Sequence, residues 1–191
     1  MEYLRIQGYP VPEVIEIDDT GRDLVMERVD GVTMVDSIAK APWTLRRRAR
    51  QLASLHQQLH ALESPDFLRA APVGHGGALV HMDLHPLNVL VGPRGPVVID
   101  WTGAARGDPA VDVVVAWVLM STGQAPVSRL EAMLIRAARG LLVRSFLRCF
   151  DRRALAATMR DVVTWKVQDP HMSHTEVAAM WRLVEREGVS G

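Results

Sequence analysis

Lysine is nearly absent from this chain. Of its 22 basic residues only Lys40 and Lys166 are lysines, so no side-chain amine precedes residue 40. Cysteine occurs once, as Cys149, which excludes an internal disulfide and a zinc ribbon. Net charge is absent too: 22 basic residues balance 22 acidic ones, so nothing global points to nucleic acid or to an acidic membrane surface. Long apolar runs are missing. The longest, Val113 to Met120, falls far short of the roughly 20 residues that cross a bilayer. The opening Met-Glu-Tyr-Leu-Arg-Ile has no charged leader followed by an apolar stretch, and a cytoplasmic location is the simplest expectation. Neither G-x-G-x-x-G nor G-x-x-x-x-G-K-[ST] occurs, so neither common phosphate-cradling loop is available.

Hydrophobic residues are plentiful. They make up 48% of 191 positions, enough to bury a core and to set aside a mainly disordered chain. A helix end over Glu2 to Gln7 is closed by Gly8, and the prolines of "YPVPEVIEI" release an extended stretch. Val14 to Ile17 and Asp23 to Val29 read as two strands around the turn "DDTGR". Thr33 to Lys40 reads as a short helix. Thr44 is expected to cap a longer one reaching about Leu62, with Leu45, Ala49, Leu52, Leu55 and Leu59 at helical spacing. "APVGHGG" reads as loop, and "GPRG" as the tip of a hairpin joining Val89–Val91 to Val97–Ile99. Asp108-Pro109 starts a helix that is apolar nearly all round from Val111 to Met120 and ends at Gly123. Helices over Val127–Phe150, Arg153–Val167 and Ser173–Glu187 complete a small β piece with a mostly helical remainder, an α+β chain.

Chemistry concentrates in "LVHMDLHPLNVLVGPRGPVVIDWTG", Leu79 to Gly103. A strand that turns and returns beside itself brings Asn88 and Asp100 to the same end of a hairpin. Two oxygen donors so placed suit Mg²⁺, a hard ion that takes few protein ligands and leaves room for phosphates. Asp83, at the loop's other end, is placed to accept a proton from a hydroxyl in line with a phosphate.

His81-Met82-Asp83-Leu84-His85-Pro86-Leu87-Asn88 matches H-R-D-L-x-x-x-N except that Met82 replaces Arg. With Ile99-Asp100-Trp101 and the "GDPAVDV" from Gly107, the stretch resembles the aminoglycoside phosphotransferase and choline kinase family, which shares the protein-kinase-like fold. The resemblance implies a mostly helical C-terminal catalytic lobe over residues 32–191, preceded at 1–31 by a remnant of the N-terminal β lobe and the hinge. It implies ATP as co-substrate, Mg²⁺, and transfer of a γ-phosphoryl group to a hydroxyl of a small molecule. By position Asp83 is similar to the catalytic base, and Asn88 and Asp100 to the metal ligands. Asp112 is similar to an aspartate that braces the catalytic loop through backbone N–H groups, while a charge favouring the helix dipole is its other reading. His81 and His85 would orient the loop. "LVMERVDG" resembles the interlobe hinge, with backbone groups of Glu27 and Val29 on the adenine edge and Met26 flanking the ring.

The family also uses a phosphate-covering loop, a strand lysine and a helix glutamate that holds it. Met1 falls inside what resembles that glutamate's helix, so about three strands and most of a helix are expected to lie outside the sequence, leaving activity impaired. The strands that remain are expected to present an open edge, which invites a partner or a second copy. A non-catalytic remnant or binding module is therefore the alternative from another class. A metallohydrolase built on His81, Asp83 and His85 is a third. In "HQQLH", His56 to His60, Gln57 stands where a zincin needs Glu, and a satisfied helical face is the expectation. Arg129, Arg136, Arg139, Arg144 and Arg148 form either a solvated face or an anion-binding patch. Trp165, Met172, Met180 and Trp181 either line the family's acceptor pocket or pack the core.

Overall fold

The structure, a computed structural model, describes residues 1–18, 20, 23–122, 129–170 and 172–187. Proline punctuation sets its beginning. Helix α1 (Glu2–Ile6) stops before two turns are complete, and Gly8 leaves it at φ 75°, a left-handed conformation open to glycine. Leu4 and Tyr9 are buried all the same. The Tyr3 hydroxyl donates to the Glu63 carbonyl at 2.6 Å and that of Tyr9 to the Leu55 carbonyl at 3.1 Å. The Val98 N–H donates to the Pro10 carbonyl at 2.8 Å. Residues 1–10 are thus fastened to the helical body.

Strands β1 (Val14–Ile17) and β2 (Leu24–Met26) form an antiparallel ribbon with no third strand beside it among the described residues. Ile15 and Ile17 are 65% and 58% exposed, and Leu24, Val25 and Met26 are exposed as well, so the ribbon is open on both faces and largely apolar, with Glu16 beside Val25 on one of them. Strand β2 is shorter than the Asp23–Val29 expectation. Glu27 N–H still reaches the Glu13 carbonyl at 2.8 Å, but Pro12 beyond it has no N–H with which to continue the ladder. Asp19, Gly21 and Arg22 of the expected turn lie outside the described residues.

Strand β3 (Val32–Thr33) runs into α2 (Met34–Lys40), where the Thr33 hydroxyl oxygen accepts from Asp36 N–H at 3.1 Å. A turn over Pro42–Thr44 precedes α3 (Leu45–His60). The expected Thr44 cap is not made: its hydroxyl donates back to the Ala41 carbonyl at 2.7 Å and closes the preceding turn instead. The buried face of α3 (Leu45, Ala49, Leu52, Leu55, His56 and Leu59) follows the helical repeat. Strands β4 (Ala78–Val80), β5 (Val89–Gly92), β6 (Gly95–Val98) and β7 (Ala105–Gly107) follow, in sheets ordered β3-β5-β6 and β4-β7, all antiparallel. Three of these strands, β3, β4 and β7, went unread in the sequence because two or three residues are too few to show alternation.

Helix α4 (Pro109–Thr122) begins where the Asp108 carboxylate accepts from Ala110 N–H at 2.8 Å. Every residue from Val111 to Val118 is buried, as its nearly all-round apolar pattern requires. Around it pack α5 (Arg129–Leu147), α6 (Arg152–Lys166) and α7 (His174–Glu187), while α3 packs chiefly on α5. The Asp151 side chain caps α6 by accepting from Arg153 N–H at 2.9 Å, and Ser173 with Glu176 makes the reciprocal cap that opens α7. Gly123 and the expected helix start at Val127 lie outside the described residues, and α5 stops at Leu147 rather than Phe150.

Phe146 of α5 is fully buried, with its ring 5.2 Å from that of His56 and 5.0 Å from that of Phe150. Its replacement by Ala is expected to cost about 3–5 kcal/mol in urea unfolding, and a loss below about 1 kcal/mol would contradict this packing. Burial first of all pushes the pKa of His56 down to about 4 against the pull of Asp112, so it folds as the neutral ring. Its Nδ1–H donates to the Leu52 carbonyl at 3.0 Å. Between pH 6.5 and 4 the unfolded chain takes up the proton that folded His56 refuses. Stability is therefore complete above pH 6.5 and falls on acidification by up to about 3 kcal/mol. A His56→Leu variant followed by urea unfolding at several pH values should lose that slope. An unchanged slope would assign it to another group.

Candidate active site

The site is organised around one carboxylate with no access to solvent. Asp112, in the first turn of α4, is 0% exposed and accepts from three donors: Met82 N–H at 2.6 Å, His81 N–H at 3.2 Å and His60 Nε2–H at 2.9 Å. Burial alone would raise its pKa. The hydrogen bond from His60, then the neighbouring His56, His60 and His81, outweigh burial and hold it well below the carboxylate range. Because a carboxylate can only accept, the bonded His60 nitrogen carries the proton. Two of the three donors to Asp112 are backbone N–H groups of the loop after β4, and the third is a side chain of α3. The "HQQLH" stretch is more than a satisfied helical face, since His60 crosses from α3 to hold Asp112. The signal for this was the four-residue spacing of His56 and His60, which puts both on the buried side of α3.

The brace acts on an uncommon backbone. Met82 is left-handed at φ 66°, a conformation that costs a residue with a Cβ about 1–2 kcal/mol, and its N–H bond to Asp112 offsets that strain. Gly103 packs close behind: a Cβ there would lie 2.9 Å from the His81 carbonyl oxygen. The His81 ring donates through Nε2 to the Ile99 carbonyl at 3.1 Å and lies 4.5 Å from the Trp101 ring, so it ties the loop to the returning hairpin strand.

Asp83 follows Met82, one-third exposed. The Asn88 side-chain N–H₂ donates both to its carbonyl at 3.0 Å and to its carboxylate at 2.9 Å. Half-burial would raise the Asp83 pKa, but His85, then Lys166 and His81, hold it below the ordinary range, and it is ionised at neutral pH. The nearer His85 nitrogen, Nε2, is 3.6 Å from it, and the other nitrogen accepts from Leu87 N–H at 3.3 Å.

Asn88 ends a short turn over Pro86–Asn88, and its carbonyl accepts from Ile99 N–H at 3.0 Å. That rung extends the β5–β6 ladder past Val89↔Val98 and sets Asp100 immediately beyond Asn88's partner. Asp100 is itself left-handed at φ 62° and exposed, and one carboxylate oxygen accepts from the Thr102 hydroxyl at 2.7 Å. The Asn88 amide nitrogen is committed to Asp83, so its oxygen is the atom left to meet a hard cation. Asp83, Asn88 and the Asp100 segment thus gather at one end of the hairpin. His81, Asp83 and His85 do not gather: the His81 ring faces Ile99 and Trp101. Among the described residues no group of three or more His, Cys, Asp and Glu side chains is set to hold a metal ion.

The hinge residues sit apart, at the end of the open ribbon. Met26 is exposed, and Glu27 N–H is already engaged by Glu13, leaving the Glu27 carbonyl and the Val29 amide as the groups the hinge reading needs. Glu27 pairs with Arg94 at the hairpin tip, and that hydrogen bond first of all holds its carboxyl below the usual range. Of the four residues read as pocket or core, Met180 is buried, and Trp165, Met172 and Trp181 pack partly buried against the core. Trp165 and Lys166 also border a small recess with Gln168 and Asp169.

Comparison with known proteins bears on the fold that carries these residues. Residues 64–158 match the model of the phosphotransferase enzyme family, APH. Over 101 residues, 53% of its length, the chain is 35% identical to the serine/threonine-protein kinase PknA of Mycobacterium tuberculosis and of Mycobacterium bovis. It spans about a fifth (21%) of the length of those curated relatives. Among solved structures it is similar to a thermostable mutant of aminoglycoside phosphotransferase APH(4)-Ia in ternary complex with ADP and hygromycin B. The TM-score is 0.65 at 18% identity, covering 99% of this chain and 82% of that one. It is also similar to an aminoglycoside-3'-phosphotransferase of type VIII, with TM-score 0.53, 21% identity and 97% and 77% coverage. For amicoumacin kinase hAmiN in complex with AMP-PNP, Ca²⁺ and Ami, the TM-score is 0.52 at 14% identity, covering 98% and 74%. Identities this low carry the fold alone. The chain has the protein-kinase-like fold, with a helical C-terminal lobe and a reduced β portion, and its residues 64–158 match the model of the phosphotransferase enzyme family.

Proposed function

We propose that this chain is the catalytic lobe of a small-molecule kinase, which moves the γ-phosphoryl group of ATP to a hydroxyl. The observation that supports the reading is the Asn88 amide held on the Asp83 carboxylate, with the Asn88–Ile99 rung setting the Asp100 backbone next along the hairpin, on a loop whose backbone is pinned by Asp112. Asn88, through its amide oxygen, and the exposed Asp100 are the residues that would hold Mg²⁺, and hard oxygen donors are what that ion takes. When bound, the ion supplies neutralisation of phosphate charge. Asp83, ionised at neutral pH, orients the acceptor hydroxyl and receives its proton as the bond to phosphorus forms. Asn88 fixes the Asp83 carboxylate through its N–H₂, and His85 and Lys166 supply the positive field that keeps it charged. Met26, with the Glu27 carbonyl and the Val29 amide, forms the adenine edge. Domain bounds of 1–31 and 32–191 and a cytoplasmic location go with this reading.

A second reading has an observation of its own. The β1–β2 ribbon is largely apolar and open on both faces, which suits strand addition by a partner or a second copy, as in a non-catalytic binding module.

Two measurements on one purified sample decide between them. Mg²⁺ with ATP, at a hundredfold excess over Kd, is expected to raise the melting temperature by roughly 5–10 °C, and Asp100→Ala should remove the rise. Phosphotransfer to a panel of hydroxyl acceptors should fall about 10²–10⁴-fold in Asp83→Asn. A wild-type protein with no thermal shift and no turnover, yet a stable oligomer indifferent to Asp83, would favour the module.

A further inference from the structure

The far end of α4 takes no part in the reading above. There α4, α5, α6 and α7 border a half-open recess of about 450 Å³, within the range of small-molecule sites. Its apolar wall is Trp117, Val143 and Leu147. Its polar wall is almost purely cationic: Arg136, Arg139 and Arg144 from α5, Arg152 from α6 and Arg186 from α7. Of the residues lining it, Glu187 alone is a carboxylate, and it pairs with both Arg152 and Arg186. Arg136, Arg139 and Arg144 have no ion pair among the described residues, and Arg144 Nε–H donates to the Gly140 carbonyl at 3.1 Å.

This is not the ordinary consequence of a basic chain, because the formal net charge is zero. The α5 arginines also divide. Arg148 is exposed and does not line the recess, the side chain of Arg129 lies outside the described residues, and the remaining three meet arginines of two other helices. Arginines on a solvated face diverge, whereas these five converge. Arg139 is only partly exposed, and burial, then the charge of Arg136, lowers its pKa. Guanidinium groups stay protonated in proteins, so the arrangement holds mutually repelling charges over an apolar wall, and a bound anion would relieve it.

We propose that this recess binds a small polyanion, a molecule with two or more phosphate or sulfate groups. Guanidinium forks from three helices match such groups in pairs, and the buried Trp117 ring supports one of them, the Arg152 guanidinium 5.5 Å above it. The site is separate from the catalytic loop. Ser121 lies about 13 Å along α4 from Asp112, and no lining residue belongs to the 81–88 loop or to the Asp100 turn. The two ends share one rigid helix.

Calorimetric titration of the full chain with inorganic tripolyphosphate, without divalent metal and at constant ionic strength, tests this. Saturable binding is expected, about tenfold or more weaker in Arg136→Gln/Arg139→Gln and unchanged in Asp100→Ala. Arg144→Gln, a single exposed substitution, serves if circular dichroism shows the double variant misfolded, and it should weaken binding in the same direction. The proposal is overturned by absence of saturable binding, by equal affinity in the arginine variants, or by loss in Asp100→Ala. A single-stranded oligonucleotide binding more tightly than tripolyphosphate through the same arginines would assign the face to nucleic acid and overturn it as well.

Discussion

A carboxylate sealed from water must be paid for in hydrogen bonds, and where Asp112 finds them determines the shape of this protein's chemistry. Its donors come from two elements distant in sequence, the loop after β4 and the end of α3. Each would leave an unsatisfied charge if withdrawn, and breaking a buried ionic group open typically costs about 3–5 kcal/mol. That penalty makes the loop conformation a condition of folding. Met82 can hold a left-handed backbone because its N–H has this one strong acceptor, and the chain then leaves the turn with Asp83 aimed at the hairpin.

The hairpin is the second fixed part. Pairing of β5 with β6 continues through the Asn88–Ile99 rung, and His81 reaches across to the Ile99 carbonyl. Asp100 then turns out of the ladder in a left-handed conformation of its own. Two strained residues, each held by neighbours, flank the same small space. Strain of this kind persists where surrounding structure over-determines it, as at functional sites. On the proposed reading these two turns place the proton acceptor and the cation ligands without relying on long, mobile side chains.

Much of this was legible in the sequence. The spacing of Asp83, Asn88 and Asp100, the Asp108-Pro109 helix start and the apolar run of α4 each rest on a local rule, and local rules can be read in one dimension. Two kinds of feature could not be read that way. Strands β3, β4 and β7 exist only because a partner strand lies beside them, and two or three residues carry no period. His60 was passed over for the same reason: its role depends on α3 lying against the start of α4, a tertiary fact. Thr44 shows the reverse error, a good capping residue whose hydroxyl found a nearer carbonyl in the turn before the helix. The open β1–β2 ribbon was expected from the neighbouring strands that the family resemblance implies, and among the described residues nothing covers it.

The dependence of the loop on Asp112 is tested most directly by amide hydrogen exchange at Met82, compared between the wild-type chain and Asp112→Asn. If the carboxylate holds the loop, the Met82 amide in the wild type exchanges as slowly as the buried amides of α4. In the variant it becomes fast through local opening while the α4 amides stay protected. Rapid exchange at Met82 in the wild type, or protection that survives the substitution, would contradict the account.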